Sequence, residues 1–168
     1  MSDDQKSKTA IARKYNLQRP NALNGAFPMW LLNVLGLSAI PLISRFIISE
    51  SFPGIEPFSI SEAALICVLL NVMAINDYAS LKHNLSNHDK KLWISFSIIA
   101  TIVALLLHVI PLVPTAILDQ NHLKFLFLTA IVTIFNSYNA HQSRIAEDFD
   151  LDFMRQEKID YIPGKESK

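Results

Sequence analysis

Side chains that could bind a cation or transfer a proton occur at a few positions inside long apolar stretches of the chain. Asp77 lies about one turn from the end of such a stretch, where a carboxylate can bind a cation or transfer a proton. Arg45, Glu62 and His108 lie near the opposite ends of their stretches, and together they would form a proton-sensitive or ligand-binding cluster. The alternative is structural: Asp77 pairs with Lys82 or caps its helix, and the other three occupy ordinary end-of-helix positions.

Amide and hydroxyl side chains form a second set at helical spacing within the same stretches. Positions three or four apart share one face of a helix, so these side chains predict a polar stripe on each helix. Such a stripe is either a polar path through the membrane or the seam along which the helices pack. Packing is the favoured interpretation, because a path usually carries charge at mid-depth and none is found there. The candidate residues are Asn33, Asn71, Thr101, Thr133 and Asn136.

Four stretches are long and apolar enough to be the helices that position these residues. The chain has 168 residues, and only 18% of them are charged, against about a quarter in a soluble domain. A bilayer core needs about 20 apolar residues per helix, and backbone polar groups in lipid are satisfied only within a helix. The sequence therefore predicts an all-α integral membrane protein whose four-helix transmembrane domain, residues 27–139, contains spans at 27–49, 60–79, 92–113 and 123–139.

Two short strings each occur twice, in the same order, within these stretches. Ile-Pro-Leu stands at residues 40–42 and 110–112, and Asn-x-Tyr at residues 76–78 and 136–138. The order is that expected of two tandem helical hairpins produced by duplication, although matches of this length also arise by coincidence.

The distribution of lysine and arginine predicts the orientation. These residues occur before the first span, between the second and third, and after the fourth, whereas residues 50–59 and 114–122 contain none. By the positive-inside rule, both termini and the middle loop are cytoplasmic. The chain is thus divided into a cytoplasmic segment, residues 1–26, the membrane domain, and a cytoplasmic helix and tail, residues 140–168. Trp30 and Trp93 are expected at the cytoplasmic ends of their spans.

The segment after the fourth span carries a modest apolar stripe with acidic residues between its members. Ile145, Phe149 and Phe153 recur at helical spacing, so the fourth span is expected to continue into the cytoplasm as a helix. The stripe must cover the protein's own loop, a second copy or a partner protein. An acidic face is repelled by anionic lipid, so contact with a protein is the favoured interpretation.

Composition and motifs narrow the function. The formal net charge of +0 argues against nucleic-acid binding, and the one cysteine, Cys67, forms neither an intramolecular disulfide nor a CxxC pair. No nucleophile–base pair, metal motif or phosphate-binding loop stands out, so we expect neither an enzyme nor a cofactor. The favoured hypothesis is a small polytopic subunit that self-associates and acts through a protein partner at the cytoplasmic face. Its architecture resembles that of bacterial inner-membrane defence or immunity components. The alternative is a small ion channel or transporter with hinges at Pro41 and Pro111.

Overall fold

A computed structural model describes residues 3–52, 54, 59–109 and 120–157, and every element in those ranges is helical. This confirms the all-α prediction. In chain order the elements are α1 (Asp3–Asn24), α2 (Ala26–Trp30), a π-helical segment (Leu31–Gly36), α3 (Ile40–Ser51), α4 (Ile60–Ser80), α5 (Asn87–Val109) and α6 (Gln120–Glu157).

Three of these helices, α4, α5 and α6, are long and apolar enough to cross a membrane, with mean hydropathies of 1.6, 2.3 and 1.2. The first predicted span is different. A helical run from Lys8 to Gly36 is bent by 56° relative to Ile40–Ser51, so this part of the chain provides a fourth crossing only if the bent pair crosses as one. The predicted first span, residues 27–49, is therefore bent near Pro41.

The bend has local causes in the sequence. The π-helical segment widens the helix, and such segments usually interrupt otherwise regular helices at single turns. A Cβ on Gly36 would lie 3.2 Å from the backbone oxygen of Leu31, so glycine allows a closer approach there than another residue would. Pro41 then stands in the first turn of α3, where proline is tolerated because its missing N–H is not needed. The bend thus lies between a glycine and a proline.

Helix α4 is the centre of the bundle and packs against both α5 and α6. Buried alanines at the contacts allow the helix backbones to approach closely, as is usual between membrane helices. The cap of α4 is Ser59, whose side chain accepts a hydrogen bond from the backbone nitrogen of Glu62. We call the end of the bundle at which residues 81–86 connect α4 to α5 the loop end. The buried alanines are Ala64, Ala74, Ala100, Ala104 and Ala140.

Helix α6 is 38 residues long and continues without a break from an apolar half into a polar half that extends beyond the loop end. Helix α1 packs antiparallel to that polar half. The two copies of the Asn-x-Tyr string lie in different environments, because Asn76 is exposed and Asn136 is fully buried. Residues 110–112, with Pro111, lie outside the described residues, so only one Ile-Pro-Leu string is seen.

Candidate functional site

Five side chains at the centre of the bundle form one hydrogen-bonded group, which we call the polar seam. Its members are Asn71 and Tyr78 on α4, Ser97 on α5, and Thr133 and Asn136 on α6, and all are almost completely buried. Asn71 Nδ2 donates to Thr133 Oγ1 at 2.9 Å, and Asn136 Nδ2 donates to Ser97 Oγ at 2.8 Å. A second bond from Asn136 Nδ2 reaches Asn71 Oδ1 at 3.4 Å. The seam therefore joins all three apolar helices.

The hydrogen-bonding capacity of the two amides is used within the seam. Asn71 Nδ2 also donates to the backbone oxygen of Cys67 at 3.0 Å, so both of its hydrogens have acceptors. Asn136 likewise uses both hydrogens, and its Oδ1 accepts from the Tyr78 hydroxyl at 3.4 Å. A buried amide group that is satisfied in this way stabilises packing and fixes helix register.

Two of the residues predicted for a polar stripe lie outside the seam. Asn33 is exposed on the π-helical segment. Thr101 is half-buried on α5, and its hydroxyl donates to the backbone oxygen of Ser97, one turn earlier in the same helix, at 2.8 Å. The structure thus brings together Asn71, Thr133 and Asn136 but neither of these two.

Asp77 lies at the loop end, where it contacts α6. Its Oδ1 accepts a hydrogen bond from a guanidinium nitrogen of Arg144 at 2.8 Å, and His141 Nδ1 lies 3.8 Å from the other carboxylate oxygen. The partner is therefore Arg144, not Lys82 as the sequence suggested. Lys82 instead contributes its backbone nitrogen to a different contact. An ion pair with one buried and one half-exposed member positions α6 against α4.

Burial lowers the pKa of His141, and the nearby Asp77 carboxylate only partly offsets this. The His141 Nε2 atom is buried without a hydrogen-bond partner among the described residues.

Glu147 holds the loop between α4 and α5. Its carboxylate accepts hydrogen bonds from three successive backbone N–H groups, those of Lys82 at 2.6 Å and of His83 and Asn84 at 3.1 Å. Lys90 Nζ binds the same loop from the other side by donating to the backbone oxygens of Ala79 and Leu81. A cation at these oxygens also complements the C-terminal dipole of α4. The loop is therefore fixed by side chains from two neighbouring helices.

Beyond the loop end, α1 is bound to the polar half of α6. The Tyr15 hydroxyl donates to Asp150 Oδ1 at 2.8 Å, and the Tyr15 ring packs edge-on against Phe153. Burial and the hydrogen bond to Asp150 raise the pKa of Tyr15 to about 12. Arg19 Nε lies 3.4 Å from Asp150, and Lys14 pairs with Glu157 at the far end of the contact.

The apolar stripe on this half of α6 is thus covered by the chain's own N-terminal helix. Phe153 is buried and Phe149 half-buried, and both rings contact Tyr15. Ile145 is half-buried and lies one turn before Phe149. The cover predicted from the sequence was the protein's own loop, a second copy or a partner, and residues 3–24 were not among these candidates.

The opposite end of the bundle contains two separate polar contacts near the start of α4. Arg45 on α3 donates to Glu62 Oε1 at 2.8 Å, and His108 Nδ1 on α5 lies 2.7 Å from Ser61 Oγ. Arg45 and Glu62 are neither buried nor fully exposed. Within the described residues, no group of three His, Cys, Asp and Glu side chains could share a metal ion.

Contacts between residues that are close in the sequence have a recognisable signal. Ser86 caps α5 by accepting a hydrogen bond from the backbone nitrogen of Asp89 and donating one to its carboxylate, at a Ser-x-x-Asp spacing. Glu147 and Arg144 had none, because their partners lie more than 60 residues away. Comparison of the chain with protein-family models, with curated proteins and with solved structures found no match.

Proposed function

We propose that this chain is a small, non-enzymatic membrane subunit that crosses a bacterial inner membrane four times, self-associates and acts through protein contacts at its cytoplasmic face. That face consists of α1, the polar half of α6 and residues 81–86. The membrane placement rests on the length and apolar character of α4, α5 and α6.

The course of the first 51 residues supports a fourth crossing. Trp30 lies against α6, where its Nε1 donates a hydrogen bond to Ser137 Oγ at 3.1 Å and its ring packs edge-on against Tyr138. Further along the chain, Arg45 reaches Glu62 in the first turn of α4. Residues 30–51 therefore run from the level of Ser137 to the far end of the bundle, while α1, at the start of the same helical run, lies beyond the loop end. A chain with this course has both described ends on the same side of the apolar layer.

The orientation rests on charge. Lysines and arginines lie in α1, in the connection between α4 and α5 and in the polar half of α6, all at one end of the bundle. The positive-inside rule assigns that end to the cytoplasm.

The observation that carries the proposed role is the attachment of α1 to α6. Two mostly polar helices are held together outside the apolar bundle by the buried Tyr15–Asp150 hydrogen bond and by a cluster of aromatic rings. A chain that served only as a membrane anchor would not need two polar helices bound to each other outside the apolar bundle. A surface that is already rigid loses less conformational entropy when it binds a partner. We infer that α1 and the polar half of α6 are held rigid because a partner protein binds them.

A channel or transporter is the second candidate, because the buried polar seam crosses the middle of the bundle. A path needs polar groups that are free to contact a passing ion or solute. In the seam, the amide hydrogens of Asn71 and Asn136 are all bonded to neighbouring helices or to their own helix. The seam therefore supports packing better than conduction.

The proposed role is tested by placing a photo-crosslinking amino acid on the cytoplasmic face in living cells. Leu17 is suitable because its side chain is 64% exposed on α1, and Asp152 provides a second exposed position on α6. The matched control is Ile102, which is 52% exposed on the apolar helix α5. We expect a discrete protein adduct from each cytoplasmic position and lipid adducts alone from the control.

The same purified chain is then reconstituted into vesicles to measure ion conductance. The proposal predicts no conductance above that of vesicles without protein. Conductance together with an absence of protein adducts at both cytoplasmic positions would favour the channel.

A further inference from the structure

A groove of about 600 Å³ lies between α5 and α6. Ser97 and Thr133 of these helices point into the polar seam, so the groove lies on their other faces and opens to the outside of the bundle. Its walls are apolar and strongly aromatic. They include Trp93, Phe96 and Ile99 on α5 and Ile131, Val132 and Phe135 on α6.

The dimensions of the groove indicate what could occupy it. It extends along α5 from Leu92 to Ile99, which is about 10 Å of helix at 1.5 Å per residue. A groove of this length and volume accommodates a segment of a flexible hydrocarbon chain.

The environment of the groove also favours hydrocarbon. Helix α5 has the highest mean hydropathy of the three apolar helices, 2.3, and only 17% of its apolar window is buried within the chain. Its outer surface therefore faces lipid. Ser95 is the one polar side chain in the lining.

Charge at the loop end of the groove selects the lipid. Lys91 is one turn before Ser95 on the same face of α5, is exposed, and forms no ion pair with any described residue. On α6, the face that carries Phe135 continues to Asn139 and Gln142, which supply amide groups at the same level. A negative headgroup at this position would meet one cation and two hydrogen-bonding side chains, with Trp93 at the boundary, where indole rings prefer to lie.

We propose that the groove between α5 and α6 binds an acyl chain of an anionic phospholipid, with the headgroup phosphate at Lys91. This site depends on the membrane placement of α5 and α6 and not on the proposed cytoplasmic role. A single lysine near an anionic headgroup gives about a fivefold preference over a zwitterionic lipid.

The chain contains two tryptophans, and Trp93 lines the groove, so its fluorescence reports occupancy. The full chain carrying Trp30→Phe is reconstituted into phosphatidylcholine vesicles with a minor fraction of phosphatidylglycerol brominated on its acyl chains. Bromine quenches indole fluorescence on contact. We expect brominated phosphatidylglycerol to quench half of the Trp93 fluorescence at about one-fifth of the concentration at which brominated phosphatidylcholine does so.

Three variants in the Trp30→Phe background identify the site. Lys91→Gln should abolish the headgroup preference, and Val132→Phe, which fills the groove, should reduce quenching by both lipids. Lys124→Gln is the matched control, because Lys124 is an exposed lysine near the start of α6, and it should leave the preference unchanged. Equal quenching by the two lipids, or a preference that survives Lys91→Gln, would overturn the proposal.

Native mass spectrometry of the unsubstituted chain provides a second measurement if Trp30→Phe does not fold. With an equal mixture of the two lipids, we expect the chain to retain phosphatidylglycerol in preference to phosphatidylcholine in every oligomeric state, and loss of this preference in Lys91→Gln. Dimers that carry neither lipid would instead indicate that a second copy covers the groove, and would contradict the proposal.

Discussion

Asn136 on α6 donates a hydrogen bond from its Nδ2 to Oδ1 of Asn71 on α4, 3.4 Å away, and this bond joins the two buried amides into one unit. Asn71 in turn binds Thr133, so α4 and α6 are connected twice at the same level. Ser97 brings α5 into the group through Asn136. The register of the three apolar helices is thus set by polar contacts that only one alignment satisfies.

Replacement of Asn71 with leucine should destabilise the bundle. Asn71→Leu removes the bonds to Thr133 and Asn136 and leaves buried polar atoms without partners. An interhelical hydrogen bond in a membrane protein is worth about 0.6–2 kcal/mol, so the free energy of unfolding should fall by about that amount per lost bond. Unfolding of the purified chain in mixed detergent micelles measures the difference.

Asn33→Leu is the matched control for this substitution, because Asn33 is exposed on the π-helical segment. It should leave the free energy of unfolding unchanged within error. Equal effects of the two substitutions would show that the buried contacts of Asn71 contribute nothing specific.

Replacement of Glu147 with glutamine should loosen the loop between α4 and α5. The buried carboxylate accepts three backbone hydrogen bonds, and bonds to a charged acceptor contribute about 1.5–3 kcal/mol. In Glu147→Gln, an amide with a single neutral oxygen replaces two charged acceptors. We expect hydrogen exchange at the amides of Lys82, His83 and Asn84 to accelerate about tenfold or more.

Asp148→Asn is the neighbouring control, since Asp148 is exposed and makes only a long contact with Arg144. Exchange at the loop amides should not change in this variant. Acceleration in both variants would assign the effect to general charge and not to the Glu147 contact.

The raised pKa of Tyr15 predicts when α1 separates from α6 at alkaline pH. The pKa of Tyr15 rises from 10.0 to about 12 in the folded chain, so the folded state retains the proton that the unfolded state loses first. The stabilising contribution of the contact is complete below pH 10 and is lost as the pH rises through about 12. Absorbance of tyrosinate near 295 nm, measured as the difference between the chain and Tyr15→Phe, follows this step. A midpoint near pH 10 in the difference curve would contradict the Tyr15–Asp150 contact.

Asp77→Asn distinguishes the two candidate functions. If the chain conducts cations from the cytoplasmic side, loss of this carboxylate should change conductance or selectivity in a reconstituted bilayer. If the chain is a subunit, the substitution should only weaken the contact with Arg144, by about 0.5–1 kcal/mol because Arg144 is half-exposed. Truncation after Ser143 should then abolish crosslinking from Leu17, because it removes the polar half of α6. A changed conductance in Asp77→Asn with unchanged crosslinking in the truncated chain would contradict the proposed role.

The apolar pattern predicted the helical class and the apolar helices well, because each residue contributes to the cost of transfer into lipid independently of its partners. Pro41 indicated a hinge near the bend before α3, but hydropathy averages over a glycine and a proline and gives no bend angle. Trp30 was predicted at the cytoplasmic end of the first span because indole rings favour that level, and in the structure its Nε1 donates a hydrogen bond to Ser137 Oγ while its ring packs edge-on against Tyr138. Hydropathy and interface preferences describe the average lipid environment of a residue type, but they do not show which residues it contacts in the folded chain.

The polar contacts were predicted only in part, for a similar reason. Helical spacing identified Asn71, Thr133 and Asn136 as polar positions, but it treated the exposed Asn33 in the same way. The spacing of residues within one helix cannot show which face meets another helix. Tyr15 and Asp150 are 135 positions apart, and no pattern within either segment indicates that they bind.

The central claim is that one assembled polar face, made of α1, the polar half of α6 and residues 81–86, lies in the cytoplasm. Topology reporters fused at Asn87 and Lys168 and at the two opposite connections, at Glu56 and Gln120, test it most directly. The account predicts cytoplasmic signals from Asn87 and Lys168 and external signals from Glu56 and Gln120. An external signal from Asn87 or Lys168, or a cytoplasmic signal from either of the other two, would contradict it.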